Sequence, residues 1–404
     1  MKFLLWTAIF AAPLLRADSP LPALGKHLAL PADQRPKLDQ QSFAKVPLTE
    51  ADAGKAAQLL WADHLARLRQ ERAAEMKNKI IKLGNLSMRF EFFVYGEQPK
   101  AGRSLFISMH GGGQAPARVN DGQWENQKRL YRPKEGIYVA PRAPTNTWNL
   151  WHQGHIDGFF DRLIENFVAL HGANPNRVYL MGYSAGGDGV YQLAPRMADR
   201  FAAAAMMAGH PNETSPVGLR NLAFTLHMGE RDGGYNRNKV AASWRTKLAD
   251  LRKTDSGGYV HHVQIHPGLG HWMNRRDAVA VPWMAKHTRN PLPDRIVWKQ
   301  DDVRHDTFYW LAVPVAETAD RPQITAAIKQ QAVTLEGPTG KTVSVRFNDQ
   351  MLNLDQPVTV TANGKKVFTG KVQRTLRHLV KSLKARGDLH YLFSSEVTVK
   401  LPAP

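Results

Sequence analysis

The 404-residue sequence contains no cysteine. This excludes disulfides, cysteine–zinc sites, iron–sulfur clusters, a cysteine nucleophile and a lipid anchor on an N-terminal cysteine. It does not by itself assign a compartment. Acidic residues are scarce, with 35 Asp+Glu against 54 Lys+Arg and a net charge of +19. Such a balance favours acidic surfaces or polymers. The positive residues are scattered, however, with no dense Lys/Arg block and no nucleic-acid motif, so no nucleic-acid partner is expected. An acidic envelope polymer is the partner class that the charge leaves open. Long apolar runs are also missing. The one such stretch, Phe3 to Leu15, has 13 residues and contains Pro13. It falls short of the ~20 residues that a membrane span needs. Preceded by Lys2 and followed by Arg16-Ala17, it reads as a secretory signal over residues 1–17, whose removal would lower the net charge to +17. No later segment is long and apolar enough to span, so the mature protein is expected to be secreted or periplasmic, with no membrane span.

Apolar residues make up 43% of the chain, enough for a sizeable core, and the length suggests more than one domain. Residues 18–83 read as an N-terminal extension. They are irregular and Pro-rich to residue 48. A long helix then starts at Thr49-Glu50-Ala51-Asp52 with Thr49 as N-cap, and Ala57, Leu60, Trp61, His64 and Leu68 share one face. Between 84 and 290 strand-like and helical patterns alternate. Strands are expected at Met88–Tyr95, Ser104–Met109, Gly136–Ala140, Arg177–Met181, Ala203–Met207, Ala223–Met228 and Tyr259–His266. Helices are expected after residue 155, after Ala185, over Lys239–Arg252 and over Ala278–Lys286. This alternation predicts an α/β fold with a doubly wound, mostly parallel sheet covered on both faces. In such sheets chemistry gathers beyond the carboxyl ends of the strands. The composition changes at Asn290-Pro291-Leu292-Pro293-Asp294. Residues 295–404 read as a small β-rich accessory domain with one helix near Leu376–Arg386 and an Asn363-Gly364 hairpin turn. Gly337–Thr342 resembles a phosphate loop only superficially, because the required glycine would fall at 335, where Leu335 stands; it reads as a hairpin turn.

One match to G-x-S-x-G exists, Gly182-Tyr183-Ser184-Ala185-Gly186. At a sharp strand-to-helix turn, a serine is lifted above the sheet in strained backbone angles. The residues two before and two after must be small because strand and helix nearly collide. Ser184 is therefore the candidate nucleophile, and it needs a base. His271, in the Gly-rich loop His266-Pro267-Gly268-Leu269-Gly270-His271, is the candidate. His261, His262 and His266 are rivals, the last two on one strand face where a metal pair is conceivable. Asp232, after the strand ending near Met228, is the candidate acid, with Glu230 as the alternative. His110-Gly111-Gly112-Gly113 follows a central strand. The N–H groups of Gly112 and Gly113, with that of Ala185, are candidate oxyanion donors. Trp148, Trp151 and Tyr183 are candidate substrate contacts, with a hydrophobic plug as the other reading for the two tryptophans.

These pieces, together with "MHGGG", "VYLMGYSAGGDGVYQLAPRMADRFAAAAMMAGH", "MGERD" and "GLGHWM", resemble an α/β-hydrolase. Within that superfamily the chain is similar to the secreted esterases around polyhydroxybutyrate depolymerases, feruloyl esterases and phospholipase/carboxylesterases. The resemblance spans roughly residues 84 to 290. It implies a Ser184–His271–Asp232 triad, a covalent acyl-enzyme, a small-molecule or polymer ester as substrate, and neither a metal nor an organic cofactor. Absence of cysteine departs from the disulfide-bearing polyhydroxybutyrate and feruloyl enzymes. Residues 295–404 match no polymer-binding module of that group, so polymer binding is not implied. Two alternatives remain at this stage. One is a serine peptidase of prolyl-oligopeptidase type, though only about 65 mature residues precede the catalytic segment where a propeller would stand. The other is a non-catalytic envelope-polymer binding protein on a hydrolase scaffold.

Overall fold

The computed structural model describes residues 20–404; the expected signal segment, residues 1–17, lies outside the described residues. Two N-terminal helices come first, α1 (Leu21–Ala29) and α2 (Glu50–Asn78). Thr49 caps α2 by accepting from the Asp52 N–H at 3.1 Å, and the helix ends at Lys79 in the left-handed region.

The central sheet is built from β1 (Ile80–Leu83), β2 (Leu86–Tyr95), β3 (Arg103–Met109), β4 (Gly136–Arg142), β5 (Ala173–Tyr183), β6 (Ala203–Met207), β7 (Ala223–Gly229) and β8 (His261–His266). Their spatial order is β1-β2-β4-β3-β5-β6-β7-β8. The β1–β2 and β2–β4 pairings are antiparallel and the rest are parallel. The connecting helices are α3 (Ala117–Leu130), α4 (His155–His171), α5 (Ala185–Arg196), α6 (Arg237–Thr254) and α7 (Ala280–Met284). Side chains alternate across each strand, and both faces are buried. Leu105, Ile107 and Met109, with Val178 and Leu180, join the core that contains residues of α4, α5 and α6. Phe106, Tyr179, Met181 and Tyr183 join a second core with Trp124 of α3 and Met284 of α7. The expected mostly parallel, doubly covered sheet is the one observed.

The C-terminal region carries two further sheets. One joins β10 (Thr307–Phe308), β11 (Leu311–Ala312), β14 (Thr342–Phe347) and β17 (Ser395–Lys400). The other joins β9 (Arg295–Lys299), β12 (Gln323–Lys329), β13 (Ala332–Glu336), β15 (Val358–Ala362) and β16 (Lys365–Gly370). Asn363 and Gly364 form the β15–β16 hairpin with φ of 45° and 78°, both positive as the tight primed turn requires. The expected hairpin at Gly337–Thr342 is corrected. β13 pairs with β12 and β15, whereas β14 pairs with β11 and β17. The segment therefore crosses between sheets instead of reversing within one.

The single C-terminal helix α8 (Leu376–Arg386) packs with α1 and α2 around Leu24, Leu60, Leu379 and Val380. A buried ionic network ties this region to the loop after α5. The Arg289 guanidinium donates to Asp388 at 2.7 Å, to Asn176 Oδ1 at 2.7 and 3.0 Å, and to the Asp199 carbonyl at 2.8 Å. Arg386 pairs with Asp199, and the Tyr391 hydroxyl donates to the Asp199 carbonyl at 2.8 Å. Among the described residues, no helix is long and apolar enough to cross a membrane.

Candidate active site

β5 runs down the middle of the sheet and stops at Tyr183; α5 begins two residues later. Ser184, between them, has φ 57° and ψ −121°, a strained conformation for a residue with a Cβ. Its N–H donates to the Met207 carbonyl at 2.9 Å, and its own carbonyl accepts from Asp188 in the first turn of α5. The strain is held by crowding. A Cβ on Gly182 would lie 2.2 Å from the Gly186 carbonyl oxygen, and one on Gly186 would lie 2.2 Å from that of Met109. Strand, elbow and helix fit together only because both positions are glycine. A parallel-centred sheet of this order, with a strained serine at the end of its central strand and the first helix turn beneath it, decides the architecture. The chain has the α/β-hydrolase fold.

In this fold the other candidate residues arrive from strand ends on the β6–β8 side of β5. Asp232 follows β7 and is buried; His271 follows β8 and is 43% exposed along its side chain. His271 Nε2 lies 3.0 Å from Ser184 Oγ, and its Nδ1 lies 2.7 Å from Asp232 Oδ2. Glu230, the alternative acid, accepts from the Gly268 N–H at 2.7 Å instead and braces the loop that carries His271. The rival histidines lie elsewhere. His261 contacts the Tyr259 carbonyl, and His266 meets His227 at 3.3 Å. His262 and His266 are four residues apart on β8, a backbone separation of roughly 13 Å at strand rise, and both rings stand beside His227, with centroids 5.8 and 5.5 Å away. Burial pushes the His227 imidazole, which packs against both, down to about 3. Away from Ser184, carboxylate oxygens of the exposed Glu213 and Asp302 and the half-buried Asp301 lie within 4.8 Å of one another.

The candidate oxyanion loop, His110–Gly113, is fixed by residues that the sequence reading did not single out. Asn120, wholly buried in α3, accepts from the Gly113 N–H at 2.8 Å and donates to Ala115 O and Asn146 Oδ1. The candidate role of Gly113 as an oxyanion donor is thereby corrected, because its one hydrogen already points at a good acceptor. Gly112 has φ +107°, and a Cβ there would lie 2.2 Å from Asn120 Oδ1. Its N–H has no acceptor among the described residues, and the Ala185 N–H, opening α5, has none within the helix. His110 is buried and neutral, since burial holds it down at about 3. With Nδ1 donating to the Gly111 carbonyl at 2.6 Å, its Nε2 accepts from Ala143 N–H at 3.1 Å.

Two clefts meet at Ser184. The larger, about 740 Å³, is walled by Val119, Leu130, Tyr183, His271, Trp272 and Arg275 among others. The smaller, about 420 Å³, is walled by Gln114, Trp148, Asp188, His210, Asn212, Tyr235 and Arg237. Trp148 is 56% exposed at the smaller cleft, as a substrate contact would be. Trp151 is corrected: it is wholly buried, and its Nε1 donates to the His110 carbonyl at 2.8 Å, so it anchors the His110–Gly113 loop from within the core. Tyr183 lines the larger cleft with its ring, but its hydroxyl is committed to the backbone of the His271 loop. Asp188 is a further site residue that sequence reasoning missed. Burial pushes its carboxyl up to about 6, and its Oδ1 accepts from the His210 N–H at 2.6 Å. Its position, one helical turn after a candidate nucleophile, was the available signal.

No protein-family model matches the chain. A poly(3-hydroxyalkanoate) depolymerase C of Paucimonas lemoignei is 26% identical over 211 residues, covering 49% of this chain and 46% of that protein. The chain therefore spans about half the length of the curated relative it matches. Among solved structures, a thermostable esterase aligns over 52% of this chain and 62% of its own, with 16% identity and a TM-score of 0.40. LpqC, a poly(3-hydroxybutyrate) depolymerase from Bordetella parapertussis, aligns over 51% and 86%, with 16% identity and a TM-score of 0.38. A feruloyl esterase module from Clostridium thermocellum, complexed with sinapinate, aligns over 52% and 87%, with 15% identity and a TM-score of 0.36. Similarities this low do not carry an activity across.

Proposed function

We propose that the protein is a secreted serine hydrolase of carboxylic esters. One observation carries the reading: a strained serine with a histidine Nε2 at 3.0 Å, whose Nδ1 is in turn 2.7 Å from a buried carboxylate, at the junction of two open clefts. His271 Nε2 takes the Ser184 proton as Oγ attacks the ester carbonyl, and Asp232 fixes the tautomer and stabilises the imidazolium. The Gly112 and Ala185 N–H groups receive the developing oxyanion, aided by the N-terminus of α5. His271 returns the proton to the departing alcohol, leaving an acyl-Ser184, which water hydrolyses by the same route. The basic, apolar N-terminal segment supports export. The depolymerase relative supports an ester as the bond cleaved.

The clefts suggest which part of the ester goes where. His271 lines the larger cleft but not the smaller one. The alcohol must leave within reach of His271 Nε2, so it occupies the larger cleft, and the acyl chain lies in the smaller cleft beside Trp148. The test is hydrolysis of short and medium p-nitrophenyl esters by the mature protein beside Ser184→Ala prepared identically. The variant is expected to lose roughly 10⁶-fold in kcat, as other triads do. A wild type inert on every ester would sink the reading and turn attention to peptide substrates and envelope-polymer binding.

A further inference from the structure

We infer that Tyr183 is a positioning residue, tying the loop that carries His271 to the strand end that carries Ser184. This inference rests on the triad reading above. Tyr183 is the last residue of β5 and is 8% exposed. A phenol hydroxyl can donate once and accept as well, and here both capacities are used on one loop. It donates to the His271 carbonyl at 2.5 Å and accepts from the Met273 N–H at 3.0 Å. The ring stands edge-on to the His271 imidazole, with centroids 6.0 Å apart, and packs against Trp272 at 5.7 Å. One side chain thus holds three consecutive residues of the loop.

The need for such a tether follows from the topology. His271 comes from β8, which is separated from β5 by β6 and β7. On its N-terminal side the loop is fastened to the segment after β7. The Arg231 N–H donates to the Leu269 carbonyl at 2.8 Å, and Glu230 holds the Gly268 N–H. Those contacts set the imidazole relative to Asp232, which comes from the same segment. They say little about where Nε2 stands relative to Ser184. That second relation is set on the C-terminal side, by a residue one peptide away from the nucleophile. Nucleophile and base then hang from the same strand end, and a displacement of ~1 Å between them would cost on the order of 10²-fold in rate. Burial raises the Tyr183 phenol above its ordinary pKa, so it remains a protonated donor through the neutral range.

The variant Tyr183→Phe keeps the ring and removes only the hydroxyl. On p-nitrophenyl esters, kcat is expected to fall about 10- to 100-fold, while KM changes less than about threefold and the melting curve stays within a few degrees of wild type. A second readout does not depend on turnover. In protein labelled with ¹³C-histidine, the ring signal that disappears in His271→Ala reports the base directly. It is expected to broaden or move toward the free-imidazole position in Tyr183→Phe. Wild-type kcat together with an unmoved ring signal would overturn the inference. So would a loss of kcat that merely tracks a loss of folded protein. If the wild type hydrolyses no ester, the functional reading fails, and the ring signal still decides whether the tether exists.

Discussion

Replacing Gly186 by alanine puts a methyl group where backbone already stands. The new Cβ would lie 2.2 Å from the Met109 carbonyl oxygen, 2.7 Å from its carbon and 3.0 Å from the His110 carbonyl oxygen. None of these three atoms belongs to a side chain that could swing aside, so α5 must move away from the end of β3. Restoring ordinary contact at about 3.4 Å requires a shift of more than ~1 Å. Overpacking of this kind costs ~1–3 kcal/mol and more when only backbone can yield, so about 3 kcal/mol is expected. At ~2–4 °C per kcal/mol for a domain of 150–250 residues, Tm should drop by roughly 6–12 °C. The same shift moves Ser184 against the oxyanion donors, for a loss of about 10²-fold in kcat/KM. The assay is a circular-dichroism melt paired with p-nitrophenyl ester hydrolysis, with Gly122→Ala as control. Gly122 is exposed in the middle of α3 with open space where its Cβ would be, so alanine there should stabilise by up to ~1 kcal/mol. If Gly186→Ala melts and turns over like Gly122→Ala, the crowded elbow does not hold the serine.

Further expectations concern other parts of the molecule. Burial pushes the Glu165 carboxyl up to about 7 from an ordinary 4.5. The folded state therefore holds a proton that the unfolded chain releases, and stability should fall as pH rises from about 4.5 to about 7. Glu165→Gln should flatten that slope and gain ~1–3 kcal/mol at pH 8, read from urea midpoints at several pH values. A variant with the wild-type pH slope would refute the assignment. Trp151→Ala should cost ~3–5 kcal/mol by opening a core cavity. Trp148→Ala should leave Tm almost unchanged and raise KM several-fold for bulky acyl groups; equal effects on Tm would contradict the opposite burial of the two rings. Arg289→Met leaves Asp388 buried with a weakened counter-charge and should cost ~3–5 kcal/mol. Calorimetry should show one cooperative transition moving down as a whole, and a catalytic segment melting unchanged would rule out the network as a tie.

Much of the fold was legible because local signals and burial agree. The strand expected at Ala203–Met207 and the helix expected near Leu376–Arg386 both form with those bounds. Other elements left little trace. Helix α3 buries Asn120, Trp124 and Gln127, two of them polar, so no apolar stripe announces it. Asn120, which holds the Gly113 N–H, was hidden with it. Strand β1 is four residues long and follows a long helix after the single residue Lys79, and its pairing partner β2 defines it. Gly337–Lys341 carries turn residues, but turn chemistry fixes a local bend and not which sheet receives the next strand.

The sequence by itself determined the elbow. Gly-x-Ser-x-Gly after a buried strand is a local steric requirement, met or failed within five residues. It also ordered Ser184, Asp232 and His271 along the chain, each after a strand. Tertiary structure alone decided what depends on distance between strand ends. It set Asp232 beside His271 and Glu230 on Gly268, turned the Gly113 N–H to Asn120, sent Trp151 inward and left Trp148 at the cleft. It also closed the Tyr183 hydroxyl on the His271 loop. The physical reason is common to all of these. A hydrogen bond is made or lost within a few tenths of an ångström, and positions so fine are set by the packing of elements far apart in sequence.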